Sequence, residues 1–180
     1  MVSQRGVINL YHSDGQRDAF IRRGNAMRMH GVDAEILDQH TLREMLPFLN
    51  FDNGRFPIMG GLMQRRGGTV RHDAVAWGYA RGADSREVDI IQHCEVTGIR
   101  RDAKGLVTGV DTTKGFIGCN KLGLAAAGNS TTVAKMAGLK LPIDSHVLQA
   151  FVSEGLKPWI DNVVTFGVGH FYISQSDKGG

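Results

Sequence analysis

His72 is the residue whose type and setting point most directly to chemistry. It follows GGTVR and opens the segment HDAVAWGYARGAD, in which Val75, Ala76, Tyr79, Ala80 and Ala83 recur at helical spacing and Asp73 suits an N-cap or a first-turn acid. An imidazole is thereby placed at a strand-to-helix junction. The positive end of a helix disfavours a second positive charge beside it, which favours the neutral ring, and a neutral imidazole is a nucleophile. The structural alternative is a histidine that only hydrogen-bonds a carbonyl near the helix start. Arg65, Arg66 and Arg71 flank this position; their guanidinium forks match phosphate oxygens, or they are exposed strand-end charges. His12, His30, His40, His93 and His146 have no ligand spacing, so no metal site is expected.

The elements that must position His72 read as mixed α+β. Val7 to Tyr11 is a short strand, and a helix begins at Asp14, runs through Phe20, Ile21 and Met27 and ends near His30-Gly31. AEILDQHTLREMLPFLN reads as a strand, then Thr41 as N-cap with Glu44 at capping-box spacing, then a short helix closed by Pro47. Phe56 to Leu62 and Gln64 to Val70 read as strands. After the His72 helix come strands at Val88–Ile91 and Glu95–Arg101, a hairpin with arms Leu106–Thr112 and Gly115–Asn120, and an apolar strand over Lys121–Ala127 suited to a sheet covered on both faces. Together these predict a nucleotide-binding βαβ scaffold in which the His72 helix buries one face. Gly128 follows, either a turn glycine or a point where a ligand passes close to the backbone. VLQAFVSE and GHFYISQS have period-two alternation and predict an antiparallel sheet. The division expected is 1–70 for a substrate-domain segment, 71–138 for a dinucleotide-binding segment and 139–180 for antiparallel strands of the substrate domain.

Composition narrows the function classes. The chain has 180 residues, of which 42% are apolar and 22% charged, as in an ordinary globular protein. A formal charge of +3 is spread over separate doublets, Arg22-Arg23, Arg65-Arg66 and Arg100-Arg101, with no basic stripe or interleaved aromatics, so no nucleic-acid partner is expected. No apolar run approaches a membrane span, and the first residues lack signal-peptide character, so a soluble, cytoplasmic protein is expected. Cys94 and Cys119 stand far apart without a C-x-x-C partner, consistent with a reducing compartment.

GGLMQRRGGTVRHDAVAWGYARGAD, the VTGIRR and VTGV pieces, and YISQSDKG resemble the beta subunits of heterotetrameric sarcosine oxidases, within the glycine and D-amino-acid oxidase superfamily. The resemblance covers essentially the whole chain. It implies a noncovalent FAD that oxidises the small amine sarcosine to glycine and formaldehyde, and a covalent FMN that returns electrons to oxygen as hydrogen peroxide. By the same resemblance His72 carries the FMN, Val96 contacts FAD through its main-chain N–H and C=O, Gly128 lies beside FAD, and the other subunits of the heterotetramer are partners. Lys178 and His170 fall where the antiparallel sheet approaches the flavin. A cation there stabilises superoxide or a substrate carboxylate, which makes Lys178 the candidate catalytic group; the alternative is a solvent-facing turn lysine. The family's G-x-G-x-x-G loop has no counterpart here, so the chain is expected to be an internal fragment, inactive by itself and weak in binding FAD. Two other readings stay open: a single-subunit amine or glycine oxidase with FAD alone, and a non-catalytic fragment that only packs on partner subunits.

Overall fold

A computed structural model describes residues 2–52, 54–167 and 169–180. The chain forms two compact units, one of residues 1–79 with 152–180 and the other of residues 80–151. Its strands are β1 (Val2–Ser3), β2 (Val7–Tyr11), β3 (Glu35–Asp38), β4 (Gly60–Gln64), β5 (Thr69–Val70), β6 (Val96–Arg101), β7 (Val107–Thr112), β8 (Gly115–Gly118), β9 (Val163–Phe166) and β10 (Phe171–Ile173). Its helices are α1 (Asp14–Met29), α2 (Gln39–Met45), α3 (His72–Asp84) and α4 (Ser130–Met136).

The first unit is built on a five-stranded sheet ordered β10-β9-β2-β4-β3. β2 is its centre, antiparallel to β4 and parallel to β9. The parallel pair joins segments far apart in sequence, as parallel strands require, because no tight turn can connect them. Alternation along VINLY sends Ile8 and Leu10 to one face. There they pack with Leu37, Met63 and Val164 of neighbouring strands, and Leu42 and Leu46 of the α2 segment close the layer with Phe51 and Ile58. Each such fully buried aliphatic side chain contributes roughly 1.5–3 kcal/mol, so this layer is the main source of stability for the unit. On the other face the Tyr11 ring meets Phe20 of α1 edge-on, with centroids 6.1 Å apart. Tyr11 also lies across Gly60, where a Cβ would stand 2.1 Å from the phenolic oxygen; only glycine admits that approach. Asn9, the polar residue in the central strand, accepts a 2.9 Å hydrogen bond from the Thr165 hydroxyl of β9. β1 and β5 form a separate two-stranded ribbon, Val2 opposite Val70, and β5 leads directly to His72.

The second unit holds the antiparallel sheet β6-β7-β8. Asp102 makes the first turn by accepting from the backbone N–H groups of Lys104 and Leu106, each at 2.9 Å. Register shifts at Val96/Gly98 and Arg100/Arg101 bend β6. α4 packs on β6 with Ala134 buried. The Arg100 guanidinium grips Asp111 at 2.6 and 2.9 Å and lies 4.7 Å from the Phe116 centroid.

The strand at Val7–Tyr11, the limits of α1 and the hairpin after Arg101 agree with the sequence pattern, and the mixed α+β class holds. Other expectations are corrected. Thr41 is not an N-cap: Asp38 is, its carboxylate accepting from the Thr41 N–H at 2.8 Å, so α2 starts earlier and Glu44 faces His40 instead of capping. The strand expected at Phe56–Leu62 starts only at Gly60, and of Gln64–Val70 only Gln64 and the two residues of β5 are extended, because Gly67 turns the chain with its N–H on the Gln64 carbonyl. Val88–Ile91 and Lys121–Ala127 form no strand, and neither does VLQAFVSE. An apolar run reports a preference for burial, whereas a strand needs a neighbour to take its N–H and C=O groups, and none of these segments pairs among the described residues. No β-strand pair brackets α3 as a βαβ unit among them. α3 has no fully buried residue: of its expected apolar face Val75, Ala80 and Ala83 are half-buried, whereas Ala76 and Tyr79, the latter 79% exposed, face solvent.

Candidate functional site

The ribbon strand β5 delivers Thr69 and Val70 to one side of an open pocket, and Arg71, His72 and Asp73 continue that wall into the first turn of α3. The opposite wall is Ser174, Ser176, Asp177 and Lys178, from the segment after β10. The pocket has a volume of about 320 Å³. It lies wholly within the first unit and unites two segments distant in sequence.

His72 is exposed at this wall, and its imidazole makes no hydrogen bond or ion pair among the described residues. The carbonyl-bonded alternative is therefore not realised there. Next to it, Arg71 clasps Asp73 through two contacts, Nη2 to Oδ2 at 2.6 Å and Nε to Oδ1 at 3.2 Å, and Asp73 Oδ1 also accepts from the Ala74 N–H at 2.8 Å. Hydrogen bonding from Arg71, reinforced by the Ala74 N–H, holds the Asp73 carboxyl below its ordinary value of 3.8. A depressed folded-state value means that the pair stabilises the helix start above the unfolded-state value and is lost as the pH falls through the folded one. NMR titration of the Asp73 carboxyl is thus expected to give a midpoint below 3.8, and Arg71→Ala to bring it back up. An unmoved midpoint in that variant would remove the guanidinium as the cause.

Lys178 is also exposed and makes no ion pair among the described residues, leaving its ammonium the cation of the far wall. His170 does not line this pocket; it occupies the turn between β9 and β10 at φ +49. Arg65 and Arg66 point away to the sheet edge, where they pair with Glu35 at 2.6 Å and Asp33 at 2.7 Å. Val96 opens β6 opposite Thr112, half-buried, and Gly128 lies exposed in a 3-10 turn over Ala127–Asn129; both belong to the second unit. Among the described residues no group of His, Cys, Asp and Glu is placed to hold a metal, and no helix is long and apolar enough to cross a membrane. Cys94 and Cys119 are free thiols.

Sequence reasoning missed Gln175, a buried polar side chain at 4% exposure beside the pocket wall. A signal for it existed: period-two alternation in FYISQ puts Gln175 on the face of Ile173, which packs on the core.

The whole chain, residues 1–180, matches the model of the family described as FAD dependent oxidoreductase. This chain belongs to that family. Two curated relatives are the sarcosine oxidase subunit beta of Rhizobium meliloti (strain 1021), 79% identical over 100% of this chain and 43% of the relative, and that of Arthrobacter sp, 48% identical over 99% of this chain and 44% of the relative. The chain thus spans less than half the length of these relatives. Among solved structures, the L-proline dehydrogenase of P. horikoshii superposes with a TM-score of 0.82 at 20% identity, over 100% of this chain and 48% of that one, which shows a shared fold. An FAD-dependent oxidoreductase is therefore the class within which the pocket has to be understood.

Proposed function

We propose that the full-length protein is the flavin-bearing subunit of a multi-subunit amine oxidoreductase that converts sarcosine to glycine and formaldehyde with formation of hydrogen peroxide, using FAD and an FMN held covalently by His72. The observation that carries this reading is the meeting, across one open pocket, of an imidazole and an ammonium that have no partner among the described residues. The residues present fit a flavin: an exposed ring nitrogen for a tether, a cation, and the hydroxyls of Thr69, Ser174 and Ser176 for a polar heterocycle. The names of the relatives support the substrate and the presence of further subunits.

FAD would supply the oxidation of the N-methyl carbon, and the FMN tethered at His72 would return the electrons to oxygen. His72 is the tether, fixed in position because its backbone begins α3 and the Arg71–Asp73 pair locks the adjoining turn. Lys178 keeps a preorganised positive charge on the opposite wall, where it stabilises negative charge developing on oxygen, or a substrate carboxylate, without reorganisation. Val96 offers main-chain groups to FAD, and Gly128 a backbone without a side chain. Residues 71–138 are assigned to the FAD-binding domain, 1–70 and 139–180 to the substrate domain, and the free thiols suit the cytoplasm.

Acid precipitation of the full-length protein followed by tryptic mass mapping tests the tether. The flavin is expected on the peptide from His72 to Arg81. A colourless precipitate with all FMN in the supernatant would refute it.

A further inference from the structure

We infer that Gln175 is a positioning residue: it fixes the turn that carries Lys178, and so places the ammonium across the pocket from His72. The inference rests on the reading of Lys178 as the electrostatic group of a flavin pocket.

The Gln175 carboxamide is satisfied entirely by backbone. Its Oε1 accepts from the N–H groups of Trp159 at 2.8 Å and Ile160 at 3.2 Å. Its Nε2 donates to the carbonyls of Leu156 at 3.2 Å, Lys157 at 3.1 Å and Gly179 at 2.9 Å. Its own carbonyl accepts from Arg5 Nη2 at 2.8 Å. One side chain thus ties the loop before β9 to the turn after β10. Burying a carboxamide is unfavourable unless every group is paired, and here each of its groups meets a backbone N–H or C=O that an aliphatic side chain would leave unpaired. What the amide adds is registry between two irregular segments.

That registry bears on Lys178 because Lys178 supplies none of its own. The turn closes through Ser176 N–H to the Gly180 carbonyl at 2.8 Å and Gly179 N–H to the Ser176 carbonyl at 2.9 Å, while Leu156 N–H reaches the Gly179 carbonyl at 3.0 Å. Gly179 sits at φ +86, where a Cβ would stand 2.3 Å from the Leu156 carbonyl oxygen, so the turn is pressed against the 156–157 backbone with no room for a side chain. Lys178 lies between Gln175 and this glycine, its side chain bonded to nothing among the described residues, and its place at the pocket is inherited from the anchors on either side.

The test is a set of variants in the full-length, flavin-loaded enzyme, read by rapid-mixing reoxidation of the reduced enzyme with oxygen. Lys178→Met is expected to slow reoxidation about a hundredfold, as loss of a preorganised charge does. Gln175→Met, of similar volume, is expected to slow it about tenfold by misplacing the charge. In the Lys178→Met background the Gln175→Met change should add nothing, because no ammonium remains to be placed. Gly179→Ala disturbs the same turn and two of the amide's acceptor carbonyls while keeping the Gln175 side chain, and should slow reoxidation likewise. A normal rate in Gln175→Met, multiplicative losses in the double variant, or loss of assembled enzyme in both Gln175→Met and Gly179→Ala would overturn the positioning role. If Lys178→Met itself reoxidises normally, the electrostatic reading of the pocket falls and takes this inference with it, an outcome distinct from a slow Lys178→Met beside a normal Gln175→Met.

Discussion

His72→Asn in the full-length protein is expected to eliminate covalent flavin while leaving the fold intact and FAD still reducible by sarcosine. The fold should survive because the imidazole has no hydrogen-bond or ion-pair partner among the described residues to lose, and because asparagine is well tolerated at the start of a helix. What disappears is the ring nitrogen. Under the division of labour proposed above, anaerobic mixing with sarcosine should still bleach the FAD band, whereas steady-state peroxide production falls on the order of a hundredfold, the scale of loss when a reacting group is no longer held. Equal loss of both steps would place His72 at the substrate pocket or signal a collapsed assembly, and gel filtration of the variant separates those two outcomes.

Leu10→Ala is expected to destabilise the first unit by about 2–5 kcal/mol. Leu10 is fully buried in the central strand, opposite Gly61 on one side and Phe166 on the other, so the vacated space is walled by backbone pairing on both flanks and collapses poorly. Trp159 reports on this unit because its ring packs edge-on against Phe48, at 5.1 Å between centroids, and Phe48 packs on the core layer. Denaturant unfolding followed by tryptophan fluorescence should show the midpoint fall with an unchanged slope. Val70→Ala, at a half-exposed position in the ribbon, should stay within about 0.5 kcal/mol of the parent. Equal midpoints for the two variants would mean that the layer under β2 is not the unit's main source of stability. Of the two pocket walls, the one after β10 continues directly from this sheet, whereas β5 belongs to the separate β1–β5 ribbon.

Features controlled by short-range physics are legible in the chain alone. α1 runs from a serine cap at Ser13 to His30-Gly31, the hairpin of β7 and β8 closes over Thr113-Lys114, and α3 begins at His72, all features set by capping, turn chemistry and periodicity within a few residues. The family was legible too, because its motif RHDAVAWGYAR is contiguous. At one short-range position the local pattern is ambiguous: the carboxylate of Asp38, not the hydroxyl of Thr41, caps α2, since a charged oxygen binds orphan N–H groups more strongly. Which apolar runs become strands is settled by long-range pairing. Val163–Phe166 joins the central sheet beside β2, whereas the equally apolar Val88–Ile91 pairs with nothing among the described residues, because a strand is defined by a partner that local pattern does not name. The same holds for the site. His72 and Lys178 belong to segments with no local relation, and their meeting depends on where β5 and β10 are anchored and on a buried amide at Gln175 that anchors the Lys178 turn by backbone hydrogen bonds.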